Sequence, residues 1–240
     1  METYEGKNGP ELSINNENSL RKQLTKTFGW MFLGLAVTFG VAFYLFNTPE
    51  MMYSIFSSRF GVIAIVIAQF AIVIAFSSLV FKVKPAVALA LFIGYAAITG
   101  VTFSVLPIVY NVATIAQAFA MAAVYFACLM VIGLTTKKDL TKIGSIAMAG
   151  LFAMIIYSFI SMLFGWSRDS FIYSFIGLIV FVGLTAWDAQ KMKTIYARYQ
   201  NDSEMVNRAS IYMALELYLD FINIFLFILG LIQPVHTKSR

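Results

Sequence analysis

Apolar residues in this chain are gathered into long blocks, separated by short polar connections. Seven windows, at 28–46, 61–81, 86–106, 112–134, 144–164, 171–190 and 211–232, each hold about the 20 apolar residues that cross a bilayer core. Within them no period-two alternation separates two faces, as a membrane β-barrel strand would require. The pattern therefore predicts seven transmembrane helices, an all-α fold whose backbone polar groups are satisfied within each segment. Pro49, Pro85, Pro107 and Pro234 fall in connections or at window ends, where no helical hydrogen bond is lost. The connections are short apart from 191–210, which carries Lys191, Lys193, Arg198 and Arg208 and reads as a polar loop. One domain is expected: a polar segment at 1–26, a seven-helix domain at 27–233 and a short tail at 234–240. The opening segment lacks the apolar core and small-residue cleavage site of a signal peptide, and reads as a disordered lead-in becoming an interfacial helix near 20–27.

Composition strengthens the membrane assignment. Of 240 residues, 60% are apolar and 12% charged, with a mean hydropathy of +0.80. A soluble domain has about 45–50% and about 25%, so this chain has too little polar surface to cover a water-soluble globule. The net charge of +5 carries no implication of nucleic-acid binding, because its basic residues follow topology. Arg21, Lys22, Lys26, Lys82, Lys84, Lys137, Lys138, Lys142 and the four in 191–210 lie on one side; Arg59, Arg168, Lys238 and Arg240 lie on the other. The positive-inside rule then puts the N-terminus in the cytoplasm and the C-terminus outside. A reporter fused after Arg240 should read as external and one inserted at Lys138 as cytoplasmic; a cytoplasmic C-terminus would mean that the last segment re-enters.

Nine of the twelve carboxylates lie in tails or connections. The exceptions are Asp188 near the end of the sixth window and Glu216 and Asp220 in the seventh. A charge at bilayer depth costs roughly 2.5–3.5 kcal/mol on insertion scales, so such residues are paired, wetted or functional. Antiparallel sixth and seventh helices would let Asp188 meet Asp220 in the cytoplasmic half, with Glu216 one turn nearer the interface on the same face. Two carboxylates sharing a poorly hydrated pocket share a proton, which makes either a proton sensor or, when both are ionised, an oxygen-rich cation site. Asn223, nearly one turn beyond Asp220, must find a partner for its amide in the core and is a neighbour candidate for the pair.

The run at 215–226, Leu-Glu-Leu-Tyr-Leu-Asp-Phe-Ile-Asn-Ile-Phe-Leu, resembles the last-helix signature of the Bax inhibitor family. Gly100, Val101 and Thr102 resemble a Gly-hydrophobic-Thr element of the family's third span, and the stretch from Thr185 to Gln190 resembles the end of its sixth. The resemblance spans all seven windows and is that of a bacterial-type member. It implies a helix seven wrapped by the other six, and a pH-sensitive calcium leak with Asp188 and Asp220 as proton-sensing pair and candidate calcium ligands. It also implies a basic latch at the cytoplasmic end of helix two that closes on Asp188. Lys82 is the matching position, and its ammonium keeps the charge without the bidentate fork of arginine. The acid that relatives carry in helix two has no counterpart, since 61–81 offers only Gln69 as a strongly polar residue.

Other signals are weak. His236 stands alone in the tail, and Cys128 reads as a small core hydrophobe. Trp30, Tyr53, Trp166 and Tyr173 stand where an aromatic belt is expected, and Thr99, Thr102, Ser104 and Asn111 read as silently bonded to their own backbone. No phosphate-binding glycine loop or metalloprotease motif occurs, so neither an enzyme nor a cofactor is expected beyond calcium as a transported ion. An intramembrane aspartyl protease would need Gly-x-Gly-Asp at its second acid, where this chain has Tyr218, Leu219 and Asp220. A retinal receptor would need a lysine in the last span. The remaining alternative, again implied by the resemblance, is a regulatory protein that binds a membrane-bound quality-control protease or acts in a stress pathway. The expected location is the bacterial inner membrane, among lipid and other membrane proteins.

Overall fold

The computed structural model describes residues 10–164 and 170–232. They form α1 (Pro10–Phe46), α2 (Pro49–Phe56), α3 (Arg59–Leu79), α4 (Pro85–Phe103), α5 (Leu106–Val109), α6 (Val112–Thr135), α7 (Thr141–Phe164), α8 (Ser170–Tyr199) and α9 (Ser203–Leu231), with no strand among the described residues. Seven of these helices are long and apolar enough to cross a membrane. The chain is an all-α, multi-pass membrane protein. Pro49 and Pro85 open α2 and α4, where a missing N–H costs nothing and the fixed φ suits the first turn.

Several helices run past the windows read from hydropathy. The segment 191–210 is not a loop: α8 continues to Tyr199 and α9 begins at Ser203, with Asp202 Oδ1 capping α9 by accepting from the N–H groups of Glu204 and Met205, each at 3.0 Å. Likewise α1 starts at Pro10, so the described part of the opening segment is helical rather than a disordered lead-in. Polar residues here mark where a helix leaves the hydrocarbon, not where it ends. Trp166, His236 and the tail at 234–240 lie outside the described residues.

The last helix is the hub. Two-thirds of its apolar window, 67%, is buried within the protein, against 6% for α3. It packs on α1, α4, α6 and α8. Its Tyr218 hydroxyl lies 2.6 Å from Thr38 Oγ1 of α1, which in turn donates to the Ala96 carbonyl of α4 at 2.9 Å. Small residues bring the outer helices close. A Cβ on Gly100 would lie 2.6 Å from the Thr38 carbonyl oxygen, and one on Gly133 would lie 2.6 Å from Ala189 Cβ on α8. The glycine of the Gly-hydrophobic-Thr element thus serves the α1–α4 contact, while Thr102 accepts from Gln69 Nε2 of α3 at 3.3 Å.

The remaining polar residues of that region are spent on their own backbone. Thr99 and Ser104 donate to the carbonyls of Tyr95 and Val101, and Asn111 caps α6 by accepting from Thr114 N. One expectation changes. Cys128 is exposed on the bundle surface rather than in its core, since a small apolar side chain is as well solvated by lipid as by protein. The hydroxyl of Tyr173 lies 2.7 Å from Ser158 Oγ, joining α7 to α8.

Candidate functional site

Antiparallel packing of α8 against α9 puts the acids of both helices on one cavity of about 340 Å³. Asp188 lines it from α8, and Glu216, Asp220 and Asn223 line it from α9. Gln69 reaches it from α3 and Tyr95 from α4, and apolar side chains of α7 and α8 complete the wall. Asp188 and Asp220 are 3% and 4% exposed, so both carboxyls lie inside the bundle.

The two aspartates are satisfied unequally. Asp188 Oδ1 accepts from Lys191 Nζ at 3.1 Å. Asp220 Oδ2 is buried and makes no close hydrogen bond; its polar neighbour is the Thr185 hydroxyl, one turn before Asp188 and likewise without a close partner. Buried polar atoms in native proteins are nearly all partnered, so an orphan carboxylate oxygen beside a cavity marks a place for a proton, water or ion. Asn223 satisfies one amide hydrogen locally, donating to the Leu219 carbonyl at 2.7 Å, and keeps its position on the wall.

Lys191 is the residue that sequence reasoning missed. Its ammonium bridges Asp188 Oδ1 and Glu216 Oε2, both at 3.1 Å, and lies 5.0 and 5.2 Å from the ring centres of Trp187 and Tyr212. The sequence holds a signal for it. Asp188 and Lys191 are three apart, a facing pair on any helix that continues past Gln190. Ending the window at Gln190 turned Lys191 into a loop charge. Glu216 accordingly joins the charged cluster.

Lys82, the expected latch, is exposed and forms no ion pair among the described residues. A different cation holds its corner: Arg208 of α9 donates through Nη1 to the Phe81 carbonyl at 2.8 Å and pairs through Nη2 with Glu204 at 2.5 Å. Lys193 is also engaged, donating to the Leu134 carbonyl of α6 at 2.6 Å. These basic side chains satisfy the carbonyls left open at the ends of neighbouring helices.

Calcium takes about 6–8 oxygens, and Asp188, Glu216 and Asp220 bring carboxylates to one cavity. The Lys191 ammonium sits between two of these carboxylates.

Comparison with known proteins agrees with the motifs. The family described as inhibitor of apoptosis-promoting Bax1 matches residues 20–235. The inner membrane protein YbhL of Escherichia coli K12 is 37% identical over 211 residues, covering 88% of this chain and 90% of YbhL. A protein of Borreliella burgdorferi is 38% identical over 208 residues, covering 87% and 90%. One of Deinococcus radiodurans is 38% identical over 214 residues, covering 89% and 91%.

Proposed function

The chain belongs to the Bax inhibitor family, and from that premise we propose that it is a pH-sensitive cation leak of a bacterial inner membrane, with calcium as the ion carried. Asp188 and Asp220 are the groups that exchange protons with the cavity. A proton held by the pair removes one negative charge from the ion's route; its release leaves both carboxylates ionised and draws a cation in. No bond is made or broken, and the activity is transport without catalysis.

One observation carries this reading: the buried, unpartnered Oδ2 of Asp220 on a cavity that also holds Asp188, Glu216 and Asn223. A purely structural acid at this depth would be fully paired. The inner-membrane setting is supported by the similarity to YbhL, an inner membrane protein, and calcium by the family resemblance.

Calcium flux into proteoliposomes, measured across a pH series at matched protein content, tests it. Asp188→Asn and Asp220→Asn keep shape while removing the titrating group. Each should flatten the pH response, and the double variant should add little beyond either one, because the pair titrates as a unit. Unchanged pH dependence in both single variants would refute the sensor role. Absence of flux from well-folded wild-type protein would turn attention to the regulatory alternative.

A further inference from the structure

A second cavity, of about 440 Å³, lies against the second half of α8 beside the connection between α6 and α7. Lys137, Lys138 and Asp139 line it from the connection, and Trp187, Gln190 and Lys191 line it from α8. We propose that this cavity is a binding site for a phosphate group, supplied either by an anionic lipid headgroup or by free phosphate.

Three lysines from two separate elements line one opening, two of them with no acidic partner among the described residues. The connection that carries two of them is pinned. Gln190 donates through Nε2 to the Lys138 carbonyl at 2.8 Å and accepts through Oε1 from Leu140 N at 2.9 Å. Lys137 and Lys138 therefore start from a fixed backbone. The single carboxylate in the lining, Asp139, turns back to its own chain, where Oδ1 accepts from Thr141 N at 2.9 Å. Lys191 forms the back wall. Two of its three donors meet Asp188 and Glu216. The lining offers lysine ammonium groups, which bind phosphate as point charges. The opening lies between Thr135, where α6 ends, and Thr141, where α7 begins, among lysines of the kind that mark a helix's emergence from the hydrocarbon.

The test needs no flux measurement and stands apart from the transport reading. Full-length protein in neutral detergent is titrated with phosphatidylglycerol or phosphatidylcholine, and bound lipid is counted by native mass spectrometry. Wild-type protein should retain phosphatidylglycerol preferentially, and Lys137→Gln with Lys138→Gln should weaken that binding about tenfold or more. Lys82→Gln with Lys84→Gln removes the same charge from the α3–α4 connection and should change it less than about twofold. Competition by inorganic phosphate at constant ionic strength distinguishes the sources: displacement assigns free phosphate, and none assigns the headgroup. Equal weakening by both double variants would mean unspecific surface attraction and would overturn the proposal. So would the lack of any preference for phosphatidylglycerol together with no binding of inorganic phosphate.

Discussion

Lys191→Met should lower the melting temperature of the purified protein strongly at alkaline pH and little at acid pH. Methionine matches the length of the lysine stem and can still lie between the rings of Trp187 and Tyr212, so the change isolates the charge. At alkaline pH the variant holds Asp188, Glu216 and Asp220 around one cavity with no ammonium among them. Removing one partner of a buried pair costs about 3–5 kcal/mol. The lower end applies, because Lys191 and Glu216 side chains are each 21% exposed and keep some water. For a chain of this size that is a fall of roughly 6–12 °C. As pH falls and the carboxylates take up protons, the repulsion goes and the deficit closes. Adding Glu216→Gln to the variant should recover part of the loss at alkaline pH, and Lys191→Arg should retain most of the stability. Thermal melts at two pH values decide it. An equal deficit at both would show that the lysine matters for packing alone.

A larger effect is expected from Gly133→Leu. Here the backbone of α6 lies directly on that of α8, and a Cβ would collide with the Ala186 carbonyl oxygen and with Ala189 Cβ. The obstacle is main chain, which cannot swing aside as a side chain would. Overpacking costs about 1–3 kcal/mol where a core can adjust, and more where it cannot. The leucine variant should fail to give monodisperse protein. Gly133→Ala should lower the melting temperature although alanine favours a helix by about 1 kcal/mol over glycine. Gly29→Ala and Gly94→Ala are the internal contrast: neither Cβ would meet anything within 4 Å, so propensity alone acts and both should be neutral or slightly stabilising. Size-exclusion profiles and melting curves of the four variants measure the difference.

The seven spans were legible because an apolar run with no polar face has one stable form in lipid. Their ends were not. Hydropathy reports where water begins, and α8 and α9 project beyond that level as Lys191, Lys193, Arg198 and Arg208 emerge. That shift of about three turns decided the site. With α8 ended at Gln190, Asp188 lacked a visible counter-ion and the resemblance supplied Lys82; with α8 carried to Tyr199, its own next turn supplies Lys191. The depth of Asp188 and Asp220 could be read from their distance along each span. The bond partners of Glu216 could not, since they depend on which faces of two helices meet. Gly100 was visible as a motif residue but not as a contact, because a close approach needs both helices in place.

The weakest-held wall of the acid cavity is α3. Phe76 is its one buried residue, and it packs chiefly against α4 and the short α2. At 1.5 Å per residue its 21 residues span about 30 Å, close to the hydrocarbon thickness of a typical bilayer. Most of its surface is therefore matched to acyl chains instead of to protein. Bilayer thickness becomes a mechanical variable for this molecule: thinning or thickening the membrane tilts α3 before it disturbs the better-buried helices. Gln69, Phe70 and Val73 travel with that tilt, and they form one side of the chamber that holds Asp188 and Asp220.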